Sequence, residues 1–216
     1  MKVTEVLPQK NNSHRFNVFL DGVFAFGADE DLVVEYRLIP GKVIEESLLT
    51  ELFFEAEVGK LMERMYYLFG IRQRSEKEVR DYLRNLSFKR KLKDKEELSP
   101  LVVDRLVEKL TQKGMLNDLQ FANNWVESRS KKRGINLVKA ELFKKGLGRE
   151  LIEEVISENQ KVGSQEQTAE DVLLKRLPRW SKLPYQETRK KAYEFLLRRG
   201  FEYEVVKDVV ERTLKK

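Results

Sequence analysis

The stretch VKAELFKKGLGRELIEEVI, residues 138–156, decides the fold, because the same apolar spacing around a glycine returns at 192–210 as AYEFLLRRGFEYEVVKDVV. Gly146 and Gly200 hold the same place in these two copies, and a glycine after a helical pattern is typical of a helix that ends in a left-handed turn. A third copy begins at Val79, and its second half falls into register when the charged segment 89–99 is treated as an insertion. The spacing therefore predicts a threefold internal repeat.

Each copy follows another stretch of helical period, so each repeat is predicted to contain three helices. The added first helices are placed at 48–70, 118–131 and 168–180. The predicted organisation is repeat one at 49–116 with an inserted charged loop at 89–99, repeat two at 117–157, a polar linker at 158–167 and repeat three at 168–216. Because small three-helix units need neighbours to cover their apolar faces, we expect an elongated tandem array, with the linker allowing repeats two and three to pivot.

The first 48 residues follow a different pattern. Two β-prone runs, 15–20 and 23–26, flank Asp21-Gly22, which favours a tight hairpin turn. Residues 2–7 can supply a third strand, and 29–36 a short helix with an acidic start. The predicted fold class is mainly α, with three three-helix repeats preceded by a small N-terminal module, 1–48, that contains a β-hairpin.

Composition restricts both compartment and chemistry. The chain has no cysteine and one histidine, His14, so it lacks a disulfide framework and the ligands of an ordinary zinc site. Neither a signal peptide nor an apolar run long enough to span a membrane is visible. We therefore expect a cytoplasmic protein that needs neither a metal nor another cofactor.

Catalytic arrangements are also missing from the sequence. A serine–histidine–acid triad would need His14, which we interpret as a surface residue beside a predicted strand. Gly146 and Gly148 fit neither phosphate-loop nor dinucleotide-binding patterns, and a helix-capping role explains them. We predict that the protein is not an enzyme.

Basic residues are the candidate binding residues. Residues 1–48 contain 5 Lys+Arg and 8 Asp+Glu, whereas residues 49–216 contain 37 Lys+Arg and 28 Asp+Glu. The helical region therefore carries the positive charge. Residues 127–149 contain eight basic residues and two glutamates. The candidate contact residues are Lys89, Arg90, Lys91, Arg129, Lys131, Lys132, Arg133, Lys144, Lys145, Arg149, Arg198 and Arg199. Some lie where a helix is predicted to end and would oppose its dipole, so capping and binding both remain open interpretations.

A family resemblance covers roughly 55–212. It rests on Arg72-Gln-Arg74-Ser75-Glu-Lys-Glu-Val79 with Leu83, on Leu106 to Gly114, on Gly114-Met-Leu-Asn-Asp118-Leu-Gln-Phe121-Ala122, on Ser128-Arg129 with Gly134, and on Glu141-Leu142 with Lys145-Gly146. In this order and spacing the chain resembles the RecX family of bacterial regulatory proteins. Its pattern Gly-Leu-x-Asp-x-x-Phe-Ala occurs here with one residue more between Gly114 and Asp118, and repeat one departs through its longer loop at 89–99.

The resemblance implies a modulator of the RecA recombinase, one that lies in the groove of the RecA–single-stranded-DNA filament and inhibits its ATPase, recombinase and coprotease activities. Such a protein would regulate DNA repair, recombination and the SOS response. The expected partners are the RecA filament and single- or double-stranded DNA, with the protein itself a monomer and no membrane involved. The alternatives are a stand-alone nucleic-acid-binding helical repeat protein and an enzyme with an unrecognised site. The resemblance leaves the module 1–48 unassigned, either as a protein contact or as a cap on repeat one.

Overall fold

The computed structural model describes residues 1–10, 12–159 and 165–215, and within them the chain is mainly α-helical. Three strands come first: β1 Val3–Gln9, β2 Asn12–Leu20 and β3 Val23–Asp29. The helices are α1 Glu30–Glu35, α2 Glu46–Ile71, α3 Glu76–Lys91, α4 Pro100–Gln112, α5 Asp118–Ser130, α6 Ile135–Lys144, α7 Arg149–Asn159, α8 Gln165–Leu174, α9 Tyr185–Arg198 and α10 Tyr203–Leu214, with a 3₁₀ turn at Leu177–Trp180. The predicted fold class, helical repeats after a small β module, is confirmed.

The N-terminal module is an antiparallel sheet in the order β1-β2-β3. Asp21 and Gly22 form the β2–β3 turn with φ angles of 49° and 85°, a conformation that glycine adopts without steric cost. The side chain of Asp29 then caps α1, because its Oδ1 accepts a hydrogen bond of 2.9 Å from the Leu32 amide. The predicted hairpin, third strand and short helix are therefore all present.

Helix α2 belongs to two apolar cores. Leu52 and Ala56, in its first half, are buried with side chains of the sheet and α1. Leu61 and Met65, farther along, are buried with side chains of α3 and α4. One continuous helix thus joins the N-terminal module to repeat one.

The insertion in repeat one is shorter than its predicted bounds. Helix α3 continues through Lys91, so 89–91 are helical rather than part of a loop. The segment after it folds back, since the Leu98 amide donates a 3.0 Å hydrogen bond to Ser87 Oγ and the Leu98 side chain is buried. These residues were predicted as loop, but cations in the last turn of a helix interact favourably with its dipole, and Arg90 also pairs with Glu57.

The repeat register predicted from 138–156 and 192–210 is present in the packing. Gly146 and Gly200 end α6 and α9 with φ angles of 91° and 85°. The apolar side chains at equivalent positions are buried in the cores of their repeats, with one difference. Repeat one buries Val102 and leaves Val103 half-buried, whereas repeats two and three bury the residues equivalent to Val103. The buried side chains are Val79, Leu83, Val102, Leu106 and Val107 in repeat one, Val138, Leu142, Ile152, Val155 and Ile156 in repeat two, and Ala192, Leu196, Val206, Val209 and Val210 in repeat three.

The first helix of repeat three differs from its prediction. A single helix was expected over 168–180, but α8 ends at Leu174 and a separate 3₁₀ turn follows. Pro178 explains the break, because its ring would clash with the carbonyl of the residue four positions earlier, Leu174. The Trp180 side chain still packs against the core of this repeat.

The chain divides into two compact units. The first unit comprises Met1–Arg74 and Val79–Leu116, and the second comprises Ser75–Glu78 and Asn117–Lys216. Inside the second unit, repeats two and three contact each other directly. The Gly134 amide donates a 2.9 Å hydrogen bond to the Arg199 carbonyl, and the Asn136 amide donates one of 3.1 Å to the Gly200 carbonyl. A Cβ atom on Gly134 would lie 2.1 Å from the backbone nitrogen of Phe201.

This contact disagrees with the expectation that repeats two and three pivot. Two backbone hydrogen bonds and a steric fit that admits only glycine fix one geometry between α6 and the end of α9. Of the predicted linker 158–167, residues 158–159 belong to α7 and 165–167 to α8, while 160–164 lie outside the described residues.

Candidate functional site

Basic side chains lie at two helix ends of the second unit. Helix α6 ends at Lys144-Lys145-Gly146 and α9 at Arg198-Arg199-Gly200, which are equivalent positions of the repeat. Each helix leaves its last carbonyl groups without intrahelical partners, and a cation in the last turn interacts favourably with them. Capping therefore accounts for part of the basic pattern, and the surroundings of each side chain decide the rest.

Glu141 neutralises two arginines of repeat two. Its carboxylate pairs with Arg133, lies 3.8 Å from Arg129 Nε and accepts a 2.9 Å hydrogen bond from Trp125 Nε1. The Arg129 guanidinium also lies 4.6 Å from the centroid of the Trp125 ring. Of the predicted contact residues, Arg129 and Arg133 thus belong to a partly buried charge network that stabilises repeat two.

Lys145 has a structural partner as well. It pairs with Glu78, and its ammonium lies 5.1 Å from the centroid of the Trp125 ring. Lys131 is different, because its 3.7 Å pair with Glu127 joins two side chains that are about 70% exposed. Exposed pairs of this kind contribute little, so the charge of Lys131 remains accessible.

An arginine cleft lies between repeats two and three, and no acidic side chain among the described residues lines it. A cavity of about 440 Å³ is lined by Arg133, Leu137, Arg176, Phe195, Arg198 and Arg199. The Arg199 guanidinium lies 4.9 Å from the centroid of the Phe195 ring, and that of Arg176 lies 5.6 Å from it. Arg199 Nη1 also donates a 3.0 Å hydrogen bond to the Lys132 carbonyl. Aromatic rings and a carbonyl hold these guanidinium groups, so their charges are not neutralised there.

A second basic cleft lies in the first unit. Its cavity, about 480 Å³, is lined by Lys60, Arg64, Leu86, Lys89, Arg90, Lys93, Lys95 and Glu96. Arg90 is partly neutralised, because its Nη2 lies 2.5 Å from Glu57 Oε1. Lys91 forms a 2.8 Å pair with Glu97, and this hydrogen bond raises the pKa of Lys91.

The twelve predicted contact residues therefore separate into two groups. Arg90, Lys91, Arg129, Lys131, Arg133 and Lys145 have carboxylate partners. The side chains of Lys89, Lys132, Lys144, Arg149 and Arg198 are exposed and form no ion pair with another described residue, while Arg199 contacts a ring and a carbonyl. The second group offers its charge to a partner.

The predicted contact residues leave out five basic residues of the clefts, among them Lys93 and Lys95 of the segment 89–99. Lys60 and Arg64 are four residues apart on α2, so helical spacing could have placed them on one face. Arg176 follows α8 in a turn, where no periodicity applies, and only the packing of repeat three brings it beside Phe195.

The remaining sequence predictions concern metals, membranes and His14. Within 1–10, 12–159 and 165–215, no cluster of three His, Cys, Asp or Glu side chains could hold a metal ion. Among the helices described, none has the length and apolar character needed to cross a membrane. His14 is exposed, and its Nδ1 lies 3.2 Å from Glu30 Oε1. A surface position beside a strand was predicted for it.

Comparison with known proteins identifies related chains. Residues 1–45 match the regulatory protein RecX N-terminal domain, 117–156 the second three-helix domain of RecX, and 164–210 the third. The match at 1–45 corrects the expectation that the N-terminal module falls outside the resemblance. Two solved structures share the fold, each at 22% sequence identity. A crystal structure of regulatory protein RecX has a TM-score of 0.72 and covers 97% of this chain and 98% of its own. The crystal structure of RecX from Lactobacillus salivarius has a TM-score of 0.58 and covers 72% of this chain and 95% of its own.

Relatives that are more similar in sequence cover almost the whole chain. The regulatory protein RecX of Listeria monocytogenes serovar 1/2a is 31% identical over 209 residues, which are 96% of this chain and 74% of the relative. The regulatory protein RecX of Bacillus velezensis is 32% identical over 98% of this chain and 77% of its own length. That of Bacillus subtilis strain 168 is 31% identical over 97% of this chain and 76% of its own length. On these matches, the chain belongs to the RecX family of regulatory proteins.

Proposed function

We propose that this protein binds the RecA–single-stranded-DNA filament in the cytoplasm and inhibits the ATPase, recombinase and coprotease activities of RecA. Membership of the RecX family carries the proposal, because that resemblance implies RecA as the partner. The protein would thereby limit recombination and the SOS response. A binding regulator needs surface complementarity and no catalytic group, which agrees with the character of the basic surfaces described above.

The exposed unpaired cations support a contact with an acidic or polyanionic surface. Lys132, Lys144 and Arg149 lie within one stretch of the second unit, and none of them forms an ion pair with another described residue. Charges that are not neutralised within the protein attract oppositely charged surfaces and speed association. We propose these three side chains, with Lys89, Arg198 and Arg199, as contacts to the filament.

The experiment is an ATPase titration of preformed RecA filaments with the full chain. The wild type should inhibit at ratios near or below one chain per RecA subunit. The variant Lys132→Gln/Lys144→Gln/Arg149→Gln should inhibit at least fivefold less well at matched salt, because exposed charges are lost without disturbing the core.

A matched control removes the same charge elsewhere in the second unit. Lys175, Lys182 and Lys207 are exposed and form no ion pair with another described residue, so their triple glutamine variant should inhibit like the wild type. No inhibition by the wild type would refute the proposal. Equal potency of the two triple variants would remove Lys132, Lys144 and Arg149 from the contact.

A further inference from the structure

The arginine cleft between repeats two and three contains donors and, among the described residues, no acceptor side chain. The described residues that line it are four arginines, Leu137 and Phe195, and none of these six side chains has a carboxylate, hydroxyl or amide group. Within the described part of the chain, Arg133 alone of these arginines has an acidic partner, Glu141. A guanidinium is charged at every physiological pH and presents five N–H donors. The cleft therefore offers several unneutralised cations to one ligand.

Local packing fixes these cations in place before any ligand arrives. Phe195 is buried, and the guanidinium groups of Arg176 and Arg199 lie within 6 Å of its ring centroid. The Nε atom of Arg176 is shielded from solvent and has no hydrogen-bond partner among the residues that the structure describes. A buried donor without an acceptor costs free energy, which a ligand acceptor at this guanidinium would reduce. Held donors also lose little conformational freedom on binding.

The chemistry of the ligand follows from the missing acceptors. A bound peptide would bring backbone N–H groups, and no side chain in the cleft could accept from them. The sugar–phosphate backbone of DNA presents acceptors alone, and arginine binds phosphate oxygens in a bidentate manner. The cavity of about 440 Å³ is large enough to admit a phosphate with its flanking sugars.

We propose that this cleft binds the phosphodiester backbone of a nucleic-acid strand. Arg176, Arg198 and Arg199 contact one phosphate, and the exposed Lys132, whose carbonyl accepts from Arg199, is placed for a neighbouring one. Because Phe195 is buried and no other described ring lines the cleft, bases do not stack there. Binding is consequently independent of base sequence. The inference goes beyond the proposed function, since it assigns a ligand to one cleft and holds without RecA.

The test measures binding of the full-length protein to a fluorescent single-stranded oligonucleotide of mixed sequence, over a series of salt concentrations without RecA. Replacement Arg176→Gln/Arg198→Gln should weaken binding at least tenfold. The slope of log affinity against log salt should become shallower by about 1.4, since each phosphate contact on a single strand contributes about 0.7.

Two further variants keep the result interpretable. Arg198→Glu changes an exposed side chain with no ion pair to another described residue, so it should lower affinity about tenfold without unfolding the repeat. Lys182→Gln/Lys207→Gln removes two exposed charges that do not line the cleft and should leave affinity within about twofold.

Competitors identify the ligand class. A second oligonucleotide of different sequence should displace the probe as well as the first, whereas polyglutamate and inorganic pyrophosphate should displace it at least a hundredfold less well. Equal DNA affinity of Arg198→Glu and the lysine control would overturn the proposal. So would selective loss of polyglutamate binding, which would make the cleft a protein contact, or preferential binding of pyrophosphate.

The same proteins separate this proposal from the proposed function. If the wild type binds DNA through the cleft but does not inhibit RecA ATPase, the RecA proposal fails and the cleft assignment stands. If Arg176→Gln/Arg198→Gln inhibits RecA normally and binds DNA like the lysine control, the cleft assignment fails and the RecA proposal stands.

Discussion

Repeats two and three share a backbone pattern but treat their arginines in opposite ways. Alignment on Leu142 and Leu196 makes Glu141 of repeat two equivalent to Phe195 of repeat three. Glu141 pairs with Arg133 and lies near Arg129, whereas the Phe195 ring is flanked by Arg176 and Arg199. A carboxylate at this position neutralises the neighbouring arginines, whereas a phenyl ring at the same position leaves the positive charge of the neighbouring guanidinium groups unneutralised.

The difference shows that conserving helix geometry within a chain does not conserve its electrostatics. Both positions orient guanidinium groups, one through ion pairs and the other through cation–π contacts. An ion pair cancels the charge that it positions, while an aromatic ring positions the charge and leaves its net value intact.

The largest effect is expected from adding a side chain at the junction that joins the two repeats. Gly134 precedes α6, and its missing Cβ leaves room for the backbone of Gly200 and Phe201. Gly134→Ser should destabilise the second unit by about 3 kcal/mol, because the backbones must separate. Urea denaturation followed by tryptophan fluorescence reports on this unit, since both tryptophans, Trp125 and Trp180, belong to it.

The matched substitution is Gly148→Ser. Gly148 also precedes a helix, α7, but a Cβ there would meet nothing within 4 Å. The change should alter stability by no more than about 0.5 kcal/mol, because serine and glycine are both accepted at this position. Similar denaturation midpoints for the two serine variants would show that the junction is not tightly packed.

A smaller effect is expected from removing the carboxylate of repeat two. Glu141→Gln should cost about 2 kcal/mol, because Arg133 and Arg129 lose their partly buried anion. The same change should strengthen oligonucleotide binding and make its salt slope steeper by about 0.7, since Arg133 lines the cleft and becomes available to a phosphate.

Glu153→Gln serves as the control for this variant. Glu153 forms a 2.6 Å pair with Lys139, but its side chain is 51% exposed. Loss of an exposed pair should cost less than about 1 kcal/mol and leave the salt slope unchanged. If Glu141→Gln matched this control in both measurements, neutralisation by Glu141 would not distinguish repeat two from repeat three.

The smallest effect concerns Glu55 in repeat one, whose carboxylate also neutralises basic side chains. Burial opposes its ionisation, but hydrogen bonds from Lys109 at 2.7 Å and Arg105 at 3.0 Å outweigh burial and lower the pKa of Glu55. An acid whose pKa is lowered by folding stabilises the fold above its unfolded pKa, and this contribution disappears as pH falls through the folded value.

Glu55→Gln should therefore cost about 1.5 kcal/mol at pH 7. The cost should shrink as pH falls below the pKa of an unfolded glutamate, about 4.3, and through the lower pKa of Glu55 in the fold. Hydrogen exchange of amides in α2 and α4 measures this difference at pH 7 and in acid. Because the cations are partly exposed, the loss should remain below that of Glu141→Gln. A cost independent of pH would assign the role of Glu55 to packing rather than to charge.

Sequence alone determined the local geometry of this protein. Apolar spacing and the glycines at 146 and 200 predicted the repeat, and Asp21-Gly22 predicted the hairpin, because these signals act between residues close in the chain. Local signals were less reliable at element ends, where α3 ran into a predicted loop and Pro178 divided a predicted helix.

Tertiary structure decided which positive charges are available to a partner. The residues 127–149 read as one basic stretch, yet Lys145 is neutralised by Glu78, 67 positions away, while Lys144 beside it is not. Arg176 reaches the cleft through the packing of repeat three and had no signal in the sequence. Coulomb energy depends on distance in space and on burial, and periodicity along the chain encodes neither for residues far apart.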